Sequence, residues 1–356
     1  MISFQASVSK GWLHEKGGFV FDAKYYKDPI YRQFQDKKMN DFVKRDFADY
    51  PLYNMEANLM QSDYTNEHQV LVGGIQPNLI LAFILGADFV YYPDKDMDVS
   101  GNPLKHISKA EDLPPVEQIL DYPFIQELNA QIVHLQHEHP VLEIIPPFFW
   151  DNSGRATIHG IITTSFKLIG DNAMMMIIMD PDLLHIIHQW ITDAYRILIN
   201  HYAKLANIPI TSVHVGECSG TMISNDQYLE FITPYVSQLG KDFGNIRLHS
   251  CGLSDHILEA ISEISNLSII DTGSNTSIAK IREIRGLDFE INIEPPVKLM
   301  LKDKSEIELI SWLDRALEEN QGGPLKFVLH LESGYSTNNC LLIYDELVRR
   351  HLISNP

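Results

Sequence analysis

From about residue 70 to residue 350 the chain alternates short apolar runs with longer amphipathic stretches, and this limits the fold more than any other feature. The runs 89–92, 141–145, 212–215, 246–249, 268–270, 288–293 and 326–331 are short and rich in β-branched or aliphatic residues. Such runs read as buried strands. Helical stretches lie between them. Asp180-Pro181 opens a long one by supplying an N-cap and then proline in the first turn, and Leu184, Ile187, Ile191, Ala194 and Ile197 keep helical spacing. Ser224 is expected to cap a helix to about Lys241, Ser254 a short one through Ile264, and Ser305 one through Glu319. Strand–helix alternation of this length implies a parallel sheet. No glycine-rich G-x-G-x-x-G turn follows any strand, which argues against a dinucleotide fold. The expected architecture is therefore a closed (β/α)8 barrel over 66–356, with the eighth strand in 157–172 or earlier. Residues 1–65, charged and aromatic, are expected to form a helical extension packed on it, with helices near 38–48 and 53–62.

Composition narrows the function. The chain is 45% hydrophobic, enough for a large core, and its formal charge is −19. A surface that acidic repels phosphate backbones and anionic lipid, so neither nucleic acid nor membrane is an expected partner. The first residues lack an apolar signal core, and the expected compartment is the cytoplasm. The three cysteines, Cys218, Cys251 and Cys340, are too few for a disulfide framework.

Reactive groups on such a fold belong at the carboxyl ends of strands. Three ends stand out: V-G-E-C-S-G with Glu217 and Cys218, L-H-S-C-G with His249 and Cys251, and L-H-L-E-S-G with Glu332 and, later, Cys340. Residues two apart on a strand share a side, so His249 and Cys251 can aim at one point. An imidazole and two thiolates suit tetrahedral Zn²⁺. The competing reading is a buried thiol pair beside a hydrogen-bonded histidine. By chance, a chain with 15 histidines and three cysteines holds a His-x-Cys about one time in eight. Asp271, at a neighbouring strand end, is placed to orient His249. His185 and His188 could face one side of a helix, but a position far from the strand ends makes them core or surface residues.

At these residues the chain resembles the uroporphyrinogen decarboxylase superfamily, most closely its zinc-dependent methylcobamide:thiol methyltransferase branch. The resemblance runs through LGADFVYYPDKDM, GNPLKHISKAEDL, the GECSGTMISNDQYLEFITPYVSQL block, LHSCG, IIDTGSNTSIAKIREIRG, INIEPPVKLM and LHLESGYSTNNCLLIYDELV. It implies a barrel in which His249, Cys251 and Cys340 hold zinc, with Glu217 as a displaceable fourth ligand or a base. It also implies transfer of a methyl group from a methylcobamide to a small thiol such as coenzyme M or homocysteine. No D-x-H-x-x-G corrinoid-binding string occurs; W-L-H-E-K-G at 12–17 lacks the aspartate, so the corrinoid is expected on a separate partner protein. The alternative implied by the superfamily is tetrapyrrole decarboxylation, for which Asp94 sits where the decarboxylases carry a pyrrole-binding aspartate. Their arginine-rich stretch is reduced here to Arg32 in Y-R-Q-F-Q-D-K. A non-catalytic barrel that holds zinc structurally or binds a corrinoid protein is the third reading.

Overall fold

The computed structural model describes residues 1–50, 52–54, 68–301 and 306–354. Twelve strands are described: β1 (Ile2–Val8), β2 (Leu52–Asn54), β3 (Gln69–Leu71), β4 (Phe89–Val90), β5 (Asp98–Val99), β6 (Glu143–Ile145), β7 (Arg155–His159), β8 (Ser212–Gly216), β9 (Asn245–Ser250), β10 (Leu267–Thr272), β11 (Glu290–Ile293) and β12 (Leu325–Leu331). Eight of them form one parallel sheet in the order β2-β1-β12-β11-β10-β9-β8-β7. The strands follow the chain around the sheet, with the first beside the last, as a curled α/β sheet requires.

The expected closed barrel is corrected: hydrogen bonding does not close the sheet among the described residues. β3 and β6 pair only with each other. Their neighbours are occupied otherwise. The Gln33 side chain donates to the Gln69 carbonyl at 2.6 Å, taking an acceptor that a strand beside β3 would use. After β6 the chain turns at Phe148, whose φ is 72°, and Phe149 bridges back antiparallel to Ala156 on β7. The Thr157 amide then donates to the Phe148 carbonyl.

Other expectations meet the structure as follows. The N-terminal extension is not wholly helical, because β1 lies inside the sheet and runs in register with β12 from Ile2↔Leu325 to Val8↔Leu331. The helix expected near 38–48 is the helix Pro29–Asp46, whereas β2 occupies the start of the one expected at 53–62, and the rest of that stretch lies outside the described residues. The run 89–92 supplies only β4, which pairs antiparallel with β5 away from the main sheet. The further strand expected in 157–172 or earlier is β7, Arg155–His159. The helix after Ser224 is two pieces, Asn225–Phe231 and Thr233–Phe243, with Pro234 in the first turn of the second. Ser305 lies outside the described residues; its helix is Glu306–Asn320.

Each central strand alternates. Val213, Val215, Ile246, Leu248, Ile270, Ile291, Ile293, Phe327, Leu329 and Leu331 are buried on one face. The positions between them carry His214, Arg247, His249, Asp271, Asn292, Lys326 and His330. Parity therefore sorts the sheet into an apolar face and a polar face, and the polar face is where chemistry can sit. Among the described residues no single helix is long and apolar enough to cross a membrane.

Two apolar groups differ in burial. Phe148 and Phe149 are core, with Phe148 against Tyr195 and Tyr202. In the methionine run, Met176 is buried, but Met175 and Met179 are exposed together with Ile178.

His185 and His188 join no cluster of metal-ligating groups among the described residues. His188 is fully buried, its Nδ1 donates to the Phe231 carbonyl at 2.8 Å, and His185 pairs with the Tyr235 hydroxyl. Burial lowers the His188 pKa to about 3. Below about pH 6.5 the unfolded chain binds a proton there that the folded one refuses, so stability falls as pH falls through that window. Between pH 7 and pH 5, His188 is expected to remove about 2 kcal/mol of stability. In urea unfolding at the two pH values, His188→Gln should lose about 2 kcal/mol less than the parent over that interval.

Candidate metal centre

The site forms where β8 and β9 end. The two strands run in register up to Gly216↔His249, and the Glu217 amide then donates to the His249 carbonyl at 2.8 Å. That bond pins the two chains just before each cysteine. Beyond it, Cys218 opens a short 3-10 turn, Cys218–Met222, and Cys251 is the first residue past β9. The ligand atoms of Cys218, His249 and Cys251 all lie within 4.8 Å of one another. The two sulfurs are 3.2 Å apart, and Cys251 is exposed.

Charge is set by a chain of contacts along the polar face. Asp271, the register partner of His249 on β10, has Oδ2 3.4 Å from His249 Nδ1 and 2.7 Å from Arg247 Nη2. Burial works against ionisation of Asp271, but Arg247 and His249 outweigh it and hold the carboxyl well below its usual range. Burial likewise opposes charge on His249, yet Asp271 and the two sulfurs raise its pKa well above the ordinary value. The Cys251 thiol falls to about 4, because it accepts hydrogen bonds from Cys218 and His249. Cys218, hydrogen-bonded to Cys251 and partly buried, rises to about 12. These contacts favour negative charge on Cys251 and positive charge on His249, with Asp271 against the imidazole Nδ1. A carboxylate in that place fixes ring orientation, so the expected role of Asp271 fits the geometry.

This donor set suits zinc. Tetrahedral zinc with bonds of about 2.3 Å separates its sulfurs by about 3.8 Å, so these need part by only about half an ångström. One imidazole and two thiols offer three ligands, and no fourth protein group joins this set within the same distance among the described residues. His249 also belongs to a second set with Asp271 and Glu294. Glu294, in turn, lies 3.7 Å from His330, whose Nδ1 contacts the Ser7 hydroxyl at 2.7 Å.

The structure places the other expected residues elsewhere. Cys340 is fully buried in the first turn of the helix Thr337–Arg349, 3.8 Å from the Met300 sulfur, and is not in the cluster. The chain leaves β12 at Leu331, and the turn to the Ser336 cap carries it into the core before Cys340 is reached. The second sulfur beside His249 and Cys251 is that of Cys218. Cys340→Ala should leave zinc content unchanged and cost about 1–2 kcal/mol in denaturant unfolding, as a small core truncation does.

Glu217 is fully buried and joins neither ligand set. Its Oε1 accepts from the amide and hydroxyl of Thr163, at 3.0 and 2.8 Å, in the first turn of the helix Ile161–Ile169. Gly160 is required beside it, since a Cβ there would stand 2.1 Å from the carboxylate. Burial nevertheless pushes the Glu217 carboxyl up to about 7. Asp94 is exposed in the turn after β4 and joins neither ligand set. Arg32 is buried as a brace: its guanidinium donates to the Gly74 carbonyl, lies 3.5 Å from Asp36, and stacks on Tyr25.

With this geometry in place, comparison with known proteins gives a family. The uroporphyrinogen decarboxylase (URO-D) family model matches residues 156–340, just over half of the chain. The chain belongs to the uroporphyrinogen decarboxylase family. The matched segment of this URO-D family chain starts on β7 and includes Cys218, His249, Cys251 and Asp271. No curated protein matches it. Among solved structures, it is similar to a methyltransferase from Methanosarcina mazei, at 14% identity and a TM-score of 0.63. That alignment covers 99% of this chain and 94% of the other, so the likeness in fold includes the N-terminal segment.

Proposed function

We propose that this URO-D family member is a zinc-dependent methyltransferase that passes a methyl group from a methylcobamide, carried by a corrinoid protein, to a small thiol such as coenzyme M or homocysteine. The observation that supports this reading is the convergence of Cys218, His249 and Cys251 on one point, with no fourth protein ligand in the set among the described residues and Cys251 open to solvent. Three ligands with an open position mark a catalytic zinc site, whereas four mark a structural one. When bound, zinc would keep an added thiol deprotonated near neutral pH and leave its sulfur nucleophilic.

The remaining work belongs to this chain. Asp271 holds His249 by Nδ1, leaving Nε2 for the ion, and Arg247 keeps Asp271 ionised and in place. The low pKa of Cys251 supplies a thiolate before any metal arrives. Glu217 anchors the first turn of the helix Ile161–Ile169, and so sets the position of the neighbouring Cys218.

The family's own name favours a second reading, metal-free decarboxylation of a tetrapyrrole. The burial of Arg32 as a brace and the exposed loop position of Asp94 weigh against it. The test is direct. Zinc-loaded protein is mixed with methylcobalamin and a panel of small thiols, and thioether formation is followed by mass spectrometry alongside loss of the methylcobalamin spectrum. Zinc-dependent thioether is the expected result. Release of CO2 from a porphyrinogen by metal-free protein, without thioether, would overturn the proposal.

A further inference from the structure

Cys218 and Cys251 offer their sulfurs to each other as well as to an ion. They stand 3.2 Å apart and need to close by only about 1.1 Å to reach bonding distance. The strands that carry them are tied by the bond from Glu217 to His249, so the approach is built into the sheet edge. Access is asymmetric: Cys251 is exposed and Cys218 is half-buried behind it. The third cysteine cannot compete, being buried against Met300.

We infer that Cys218 and Cys251 form a reversible disulfide, made by exchange with a low-molecular-weight disulfide, that switches off the metal centre. The meaning of the switch rests on the zinc reading above, but the bond itself does not. The exposed Cys251 sulfur attacks one sulfur of the small disulfide, forming a mixed disulfide and releasing one small thiol. The Cys218 sulfur then attacks the Cys251 sulfur; the bond to the small thiol breaks, and the second small thiol leaves. Two electrons pass from the cysteines to the small disulfide, and both cysteine protons end on the released thiols. With both sulfurs spent, only His249 remains of the three ligands, too few to retain zinc. An oxidised form of the proposed substrate class would thus close the site, and the reduced thiol would reopen it.

The experiment uses the full chain, metal-free and zinc-loaded, equilibrated in graded ratios of reduced to oxidised glutathione. Samples are alkylated, mapped by mass spectrometry, and monitored for free zinc with a chromophoric chelator. The expected result is a Cys218–Cys251 cross-link that dithiothreitol reverses, with zinc released in step with it. Cys218→Ser should stop at a glutathione adduct on Cys251. A parent protein that keeps such an adduct beside a free Cys218, or whose two thiols stay alkylatable at every ratio, would overturn the inference. If metal-free protein cross-links but never takes up zinc, the disulfide stands and the zinc reading fails. If it binds zinc but never cross-links, the zinc reading stands and the disulfide fails.

Discussion

Cys251→Ser is expected to strip the protein of zinc. The parent should carry about one ion per chain; the variant should bind at least about 100-fold more weakly and purify nearly metal-free. Serine keeps the size and polarity of the side chain but offers a hard, protonated oxygen where a thiolate stood. Cys251 is exposed and lies beyond the end of β9, so the fold should be unaffected and the melting temperature nearly unchanged. Cys218→Ser should lose zinc to a similar degree. This pair separates the observed cluster from the one read in the sequence, because that reading gave the second sulfur to Cys340. Metal analysis of the variants decides between them, and zinc retained by Cys218→Ser at the parent level would return the question to Cys340.

Asp271→Ala should do more damage than any ligand change, and of a different kind. The carboxylate is buried between Arg247 and His249, and it neutralises a guanidinium that is itself buried. Its removal leaves an uncompensated charge in the sheet interior, which typically costs about 3–5 kcal/mol. Loss of the carboxylate behind a metal-bound histidine also weakens metal by about 10–100-fold. Urea unfolding and chelator competition measure the two effects separately. Asp271→Asn keeps an oxygen that can accept from His249 Nδ1 but loses the charge. It should recover metal affinity better than stability. Equal loss of both in the alanine and asparagine variants would show that the negative charge alone, and not the retained acceptor oxygen, sustains the site.

Much of this arrangement was legible because strands in a helix-covered sheet declare their buried face. Val213, Val215, Ile246, Leu248, Ile291 and Phe327 are short-range signals that need no partner to be read. β1 escaped because its sequence, I-S-F-Q-A-S-V, places serine and glutamine on the polar face, and its partner strand is more than 300 residues away. The open edges were equally hidden: Gln33 and Phe149 decide them through contacts that no local pattern announces.

Within the site, period two served as far as the strands extend. It put His249 and Cys251 on one side and could have found Arg247 by the same count, whereas Asp271 was read from its place at a neighbouring strand end. It failed where extended backbone stops. Glu217, with φ −101° and ψ 50°, is no longer a strand residue, so alternation across Glu217 and Cys218 cannot say which side chain reaches the cluster. Cys340 lies beyond a turn and inside a helix, where strand parity carries no information about its direction. Glu294, one residue past β11, had no signal beyond its neighbour's parity.

Zinc-edge X-ray absorption on the loaded protein, before and after addition of a small thiol, tests the central claim most directly. The expected spectrum has two sulfur ligands with nitrogen or oxygen in the remaining positions, and gains a third sulfur when thiol is added. A shell with no sulfur, or one already saturated and unchanged by thiol, would contradict a zinc centre built from Cys218, His249 and Cys251 with room for an incoming sulfur.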